Sequence, residues 1–355
     1  MVDLKKYVCT VPFISLQLHQ QGPFLCCEGW LKNHIPKETP LEEIWNSKEA
    51  IEVRKSMMDG SYRYCDKNGC PYLSQLINVG ESGNIGYFTK VENLPSKIKK
   101  LYDNNSGYME EFPEIFQYSY DKTCNYKCPT CRTDFIIENS DKIKEIQKLT
   151  EDIEILFANE LRMLYLSGSA DPFASVTYRN FLRNFDAKKY PKLESIHLHT
   201  NAGLWNKKMW DSMKNIHKYV TTCEISIDAA TKYTYENITR LGGNWDTFID
   251  NLKFINSIKK IKYVKTSFVV QSENYTEMKP FVDLMKSIFG KKVEIFFGRL
   301  DNWGTFDESM YKLKNVCDVN HPEHGLFKKE LDKVWKDPQV FSNIHEYIDI
   351  KKTIF

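Results

Sequence analysis

From about residue 114 onward, short apolar runs of strand length alternate with longer stretches of helical spacing. This is the pattern of a parallel sheet whose strands are joined by crossover helices. Six strands are predicted, at 115–121, 162–167, 195–200, 222–228, 263–271 and 293–300. Between the last two, Met278, Phe281, Val282, Met285, Ile288 and Phe289 recur at three-four spacing on one helix face, and Gly290 ends the helix. Six such βα units predict an α/β fold, a partial (β/α)6 TIM-like barrel over 114–302.

The two phases of these strands differ. Gln117, Ser119 and Asp121 share one face of the first strand, as do His197, His199 and Asn201 at the third and Glu224, Ser226 and Asp228 at the fourth. The opposite phase is mainly apolar. An ordinary eight-stranded barrel fills its interior with branched apolar side chains. Helices here should cover the apolar phase, which turns the polar phase toward a cavity holding water, cofactor or substrate. A solvated sheet face is the alternative.

Residues 1–80 form a separate, cysteine-rich unit, followed by a connection of mixed composition over 81–113 with the polar turn Asp103-Asn104-Asn105-Ser106-Gly107. Within the first unit, Thr39-Pro40-Leu41-Glu42 has the marks of a helix start: a capping threonine, a proline in the first turn and an acid three positions on. Leu41, Ile44 and Trp45 can then face inward. The closing segment, 303–355, reads as a helical extension covering an open barrel edge.

At 355 residues the chain can bury a substantial core. Lysine and arginine total 49 against 47 acidic residues, a balance that argues against a nucleic-acid coat or a membrane-surface protein. The opening Met-Val-Asp-Leu-Lys-Lys lacks the apolar core of a signal peptide, and no stretch approaches the roughly 20 apolar residues of a membrane span. A cytoplasmic protein is expected. There, ten cysteines point to metal or redox roles in place of disulfides.

Cys124, Cys128 and Cys131 follow the first predicted strand in the stretch Cys-Asn-Tyr-Lys-Cys-Pro-Thr-Cys. This spacing resembles the signature of the radical S-adenosylmethionine (SAM) enzymes. The resemblance implies three thiolates holding a [4Fe-4S] cluster whose fourth iron stays open to chelate SAM. A CxxC pair with a third cysteine nearby also fits zinc, which usually wants a fourth protein ligand. The residue before the third cysteine is usually aromatic in the family and packs near the adenine. Here it is Thr130, and nearby Tyr126 is the candidate to take that contact.

The resemblance extends along the chain. Ser169-Ala170-Asp171-Pro172 stands where the family carries Gly-Gly-Glu-Pro, which implies Ser169 and Asp171 at the amino group of SAM. A cap on the next helix is the other reading of Asp171. The fourth strand, Glu-Ile-Ser-Ile-Asp, is similar to the family's Ser-x-Asp segment followed by an arginine. This implies Ser226 on the SAM ribose and Arg240 on its carboxylate or ribose. Asp228 becomes a catalytic candidate or a contact to SAM or substrate. His-Thr-Asn-Ala at the third strand resembles the Thr-Asn-Gly turn, which places Asn201 at the cavity mouth and makes His199 a candidate for substrate contact or catalysis.

Cys9, Gly22 and Cys27, separated by twelve and then four residues, resemble the opening of the SPASM-type auxiliary cluster domain. With Cys65 and Cys70 they supply four ligands, enough for a second, fully ligated [4Fe-4S] cluster; Cys26 could replace Cys27. A four-cysteine zinc site is the alternative. Cys223 reads as a small buried hydrophobe. Cys317, His321, Glu323 and His324 read as a loop.

The resemblance implies an enzyme that reductively cleaves SAM to a 5'-deoxyadenosyl radical and abstracts hydrogen from a substrate. Family frequency points to peptide modification by oxidation, cross-linking or epimerisation. The alternatives are a dehydrogenase or epimerase of a sugar or aminoglycoside, or a non-catalytic metal-scaffolded binding protein. An electron donor such as flavodoxin or ferredoxin is the implied protein partner.

Overall fold

The computed structural model describes residues 2–32, 35–78, 80–82 and 85–344. Eleven strands are present among them: β1 (Tyr7–Cys9), β2 (Ser15–His19), β3 (Gly22–Phe24), β4 (Phe88–Lys90), β5 (Ile115–Ser119), β6 (Met163–Leu166), β7 (Ser195–Thr200), β8 (Val220–Ser226), β9 (Tyr263–Val270), β10 (Val293–Arg299) and β11 (Val340–Ser342). One nine-stranded sheet runs in the order β11-β10-β9-β8-β7-β6-β5-β2-β3. All its pairs are parallel except β2 with β3.

All six predicted strands are there as β5 to β10, within two residues at either end. Two further parallel strands were not predicted. The first, β2, lies within the cysteine-rich segment, after Cys9, and pairs with β5 from Ser15↔Ile115 to His19↔Ser119. The second, β11, pairs with β10 where the sequence suggested only helix; the helix His324–Val334 precedes it, and residues 345–355 of the predicted extension lie outside the described residues. The five residues of β2, Ser15-Leu16-Gln17-Leu18-His19, do alternate polar and apolar and were a usable signal, whereas β11 has only three residues and is a strand by virtue of its partner.

Residues 81–113 are woven into the first unit. The β4 strand pairs antiparallel with β1. Trp45 Nε1 donates to Glu111 O at 2.7 Å, and Asn46 Nδ2 to Met109 O at 2.8 Å. The guanidinium of Arg54, fully buried over the Trp45 ring, donates to Pro12 O and Gly107 O at 2.8 and 3.0 Å. At the predicted helix start, Pro40 takes the cap position and Thr39 makes no cap bond; the helix is Leu41–Ile44, with Ile44 and Trp45 buried.

Helices cover the apolar phase of the sheet. Phe116 stacks on Phe157 of the helix Ser140–Phe157 at 5.7 Å, and Phe268 lies 4.9 Å from Phe281 of Met278–Phe289. The latter helix buries Met278, Phe281, Val282, Met285 and Phe289, and stops at Gly290 with φ 61°. Cys223 sits on this apolar phase, fully buried. No described helix is long and apolar enough to cross a membrane.

The opposite face is polar, and the register shows it row by row. Gln17, Gln117, Tyr165, His197 and Thr222 are successive cross-strand partners from β2 to β8. One step along, His199, Glu224, Lys265 and Glu294 align across β7 to β10, and beyond them Ser226 with Ser267. Phe268 tests how the sheet is held. Its ring is fully buried between Phe281 and Phe297, so F268A should cost about 3–5 kcal/mol in urea denaturation.

Candidate functional site

The three cysteines lie on the segment that leaves the C-terminal end of β5, the end where open α/β sheets take their ligands. Backbone bonds tie this segment to its neighbours: Cys124 N to Ile136 O, Lys127 N to Leu241 O and Asp171 N to Thr123 O, at 2.9–3.1 Å. Cys131 N and Arg132 N both donate to Cys128 O, a helical turn that sets Cys128 and Cys131 close together.

Each sulfur already receives N–H donors. Tyr126 N and Asn201 Nδ2 reach Cys124 Sγ at 3.5 and 3.6 Å, Arg240 Nη1 reaches Cys128 Sγ at 3.4 Å, and Arg132 Nη2 reaches Cys131 Sγ at 3.5 Å. Two of these donors are guanidinium groups, the partners that favour thiolate over thiol. Burial works against them and pushes the Cys124 thiol up to about 12. None of the ten cysteines is in a disulfide. Among the described residues, no three or more His, Cys, Asp or Glu side chains are disposed to share a single ion.

The backbone around the site is unusual. Ser167, Ala202 and Asp228 adopt positive φ values of 79°, 59° and 61°, each one or two residues beyond the ends of β6, β7 and β8. Such conformations cost about 1–3 kcal/mol each for residues other than glycine. Local bonds hold them: Ser167 N to Tyr118 O at 2.8 Å, Ala202 N to Thr200 Oγ1 at 2.9 Å, and Asn274 Nδ2 to Asp228 O at 3.0 Å.

The predicted site residues come together here, though several in different roles. Asp171 is fully buried and its carboxylate accepts from Thr200 Oγ1, Asn201 N, Phe173 N and Ala174 N at 2.6–3.2 Å. It is therefore a positioning residue for Asn201 and for the loop, not a free partner for an ammonium. Ser169 Oγ donates to Ser119 O at 2.6 Å, and its carbonyl accepts from Arg132. Asp228 pairs with Arg240 at 2.6 Å through one oxygen and accepts from Val269 N at 2.7 Å through the other.

Tyr126 is buried. Its hydroxyl meets that of Tyr235 at 3.2 Å and lies where a Cβ on Gly203 would sit, so the ring serves as a wall and not as an exposed stacking platform. Asn201 reaches both Cys124 Sγ and Asn125 Oδ1, the latter at 3.0 Å.

His199 is the predicted catalytic candidate that keeps access, with 22% of its side chain exposed. Burial lowers its pKa, which favours neutral imidazole. Tyr165 OH is 3.3 Å from both His199 Nδ1 and Glu224 Oε2, Ser226 Oγ is 2.9 Å from His199 Nε2, and Ser267 Oγ is 3.4 Å from Ser226. With Glu224 ionised, one consistent donor direction runs Ser267 to Ser226 to His199 to Tyr165 to Glu224. Burial alone would raise the Glu224 carboxyl, but the Lys265 ammonium at 3.2 Å holds it at about 2.

Sequence reasoning missed Tyr165, Lys265 and Arg132. The polar alternation of Lys265 and Ser267 in β9 was a usable signal for the second. Nothing local marks Arg132, whose value lies in touching Ser169 across two loops. Two buried atoms on the polar face, Gln17 Oε1 and His197 Nε2, have no hydrogen-bond partner among the described residues, which suits a face meant to meet water or a ligand. By contrast, His321 and His324 bond the carbonyls of Leu313 and Val316, as a structural loop does.

No family model matches this chain, and no curated protein matches it. Among solved structures, Streptococcus suis SuiB bound to S-adenosylmethionine is similar at a TM-score of 0.45 and 15% identity, over 69% of this chain and 53% of that one. SuiB bound to precursor peptide SuiA is similar at 0.44 and 14% identity, over 95% and 71%. BtrN in complex with AdoMet and 2-DOIA is similar at 0.26 and 11% identity, over 66% and 72%. In the first match this chain spans about half the length of its neighbour. These likenesses are faint in both sequence and superposition.

Acid should destabilise this fold in two stages. Burial lowers His197 to about 3, so the unfolded chain takes up protons that the fold refuses once pH falls below about 6.5. Glu224, held at about 2, adds a second loss below its ordinary value of about 4.5, complete only near 2. Urea denaturation at several pH values should show stability falling from about pH 6.5 downward. H197N should make the upper stage shallower and leave the lower one in place.

Proposed function

We propose that this chain is a radical SAM enzyme whose cysteine triplet holds a [4Fe-4S] cluster at the C-terminal ends of an open, partial barrel of parallel strands. The observation that carries this reading is the triplet itself, three thiols from one eight-residue stretch, each met by N–H donors and two of them by guanidinium groups. Three thiols with matched donors suit a cluster that keeps one iron open. When bound, that cluster supplies the electron that cleaves SAM to methionine and a 5'-deoxyadenosyl radical.

The chain's own residues do the rest. Cys124, Cys128 and Cys131 hold the irons. Arg240, oriented by Asp228, and Ser226 offer a guanidinium and a hydroxyl to the carboxylate and ribose of SAM. Ser169 and Asp171 order the loop beside the cluster, while Asn201 and Tyr126 wall the site. The substrate lies over the polar face, where His199, in contact with Ser226 and Tyr165, can take or return a proton through the chain that ends at Glu224. Donors and acceptors side by side on that face suit the amides of a peptide, the substrate class proposed here. The N-terminal cysteines, Cys9, Cys65 and Cys70 with one of Cys26 and Cys27, hold a second metal group.

Anaerobic purification and reconstitution, followed by iron and sulfide analysis, tests the reading directly. About eight irons per chain and dithionite-driven 5'-deoxyadenosine are expected. C128A should lose about four irons and all 5'-deoxyadenosine formation. Zinc in the triplet, or irons without SAM cleavage, would leave a metal-scaffolded binding protein.

A further inference from the structure

Among the described residues three guanidinium groups are buried, those of Arg54, Arg132 and Arg240, and each answers its charge differently. Arg54 lies over the face of Trp45 and bonds the carbonyls of Pro12 and Gly107. Arg240 pairs with Asp228. Arg132 is 8% exposed, and among the described residues it has neither an acid nor an aromatic ring as partner. Its Nη1 donates to Lys122 O at 2.8 Å, and its Nη2 to Ser169 O at 2.8 Å and to Cys131 Sγ at 3.5 Å. Carbonyl oxygens offer partial charge only, and a buried cation without a full counter-charge is costly. The remaining partner is a sulfur. A thiolate there supplies the charge that an acid supplies to Arg240.

The three acceptors of Arg132 come from three places in the chain. Lys122 lies on the segment that enters the triplet, Cys131 ends the triplet, and Ser169 belongs to the loop after β6. Ser169 follows two residues of positive φ, Ser167 at 79° and Gly168 at 143°. Its hydroxyl is already spent on Ser119 O and Asp121 O, at 2.6 and 3.2 Å. Its carbonyl is what the guanidinium holds. Arg132 N in turn closes on Cys128 O at 3.0 Å, so the side chain starts from a fixed point of the triplet. A planar fork with donors in set directions can meet acceptors on separate segments at once, which a single ammonium does less well.

We propose that Arg132 is a positioning residue for the triplet, clamping it to the loop after β6 and setting, through Cys131 Sγ, how readily a cluster held there accepts an electron. This rests on the reading of the triplet as a [4Fe-4S] site. One-electron reduction adds one negative charge beside Cys131 and moves no proton onto Arg132, whose guanidinium stays charged throughout. A fixed cation and an N–H bond to a ligating sulfur both favour the reduced form, and hydrogen bonds to sulfur and net charge are levers that set such potentials. Arg240 gives Cys128 the same kind of bond, but Asp228 cancels its charge. The cation that carries no opposing carboxylate is Arg132.

The test uses the full chain, reconstituted anaerobically, as wild type, R132Q and R132K, with iron and sulfide measured first. The potential is read by EPR during a mediated dithionite titration, following the signal that C128A lacks, so that the N-terminal cysteines do not enter. R132Q should keep the wild-type iron content. At the poise where the wild type is half reduced, its ratio of reduced to oxidised cluster should be about one-tenth of the wild-type ratio, a downward shift of about 59 mV. R132K keeps the charge and loses the fork, so it should shift less in the same direction. Should R132Q fail to fold or to hold iron, R132K decides. A potential that is unchanged or raised in R132Q at full iron content, or in R132K where R132Q cannot be loaded, would overturn the proposal and leave the enzyme reading standing. Wild-type protein without a cluster at the triplet would overturn that reading, and this proposal with it.

Discussion

The ion pair between Glu224 and Lys265, 3.2 Å apart on adjacent parallel strands, is the contact on which the polar face of this sheet depends. A sheet with helices on one side has no water there to solvate charge, and a second buried face must satisfy its polar groups from within. Lys265 meets that demand for Glu224 while its ammonium lies over Phe296 at 4.7 Å. With the charge matched in place, Tyr165, His199 and Ser226 can be linked to Glu224 as neutral donors and acceptors. Without it, the same row of residues would be an uncompensated charge among buried rings, a strongly destabilising arrangement.

The same logic shapes the cysteine end of the sheet. Arg240 is buried between Asp228 and the sulfur of Cys128, so its charge is fixed by one carboxylate and offered to one thiol. Arg132 does the equivalent for Cys131 with backbone carbonyls in place of an acid, those of Lys122 and Ser169. The left-handed residues at the ends of β6, β7 and β8 are the conformational cost of turning these loops back over the strands. That cost is offset by hydrogen bonds to Tyr118 O and Thr200 Oγ1 in the sheet and from Asn274 Nδ2 in the turn after β9.

The N-terminal segment is bound into this arrangement. Its strand β2 extends the parallel sheet beside β5, so the sheet draws strands from both sides of residue 80. Gln17 and Glu28 bring the segment around Cys26 and Cys27 onto the polar face.

How far the sequence could be read follows from the range of the interactions involved. The triplet, the polar and apolar phases of β5 to β10, and the helix ending at Gly290 are written in windows of a few residues, and local periodicity sufficed for them. The strand β11 was not legible, because three residues become a strand only when a distant neighbour supplies the ladder, while β2 carried a short alternation that its partner β5 turns into a strand. Asp171 and Asp228 show a related limit: an acid in a motif looks free in one dimension, while the partners Thr200, Arg240 and Val269 arrive from other strands and loops. The sequence alone determined which chemistry the chain carries, thiols in a cluster spacing beside a polar-faced α/β sheet. Tertiary structure decided which of those groups remain available, because hydrogen bonding and burial are settled only when residues remote in sequence meet.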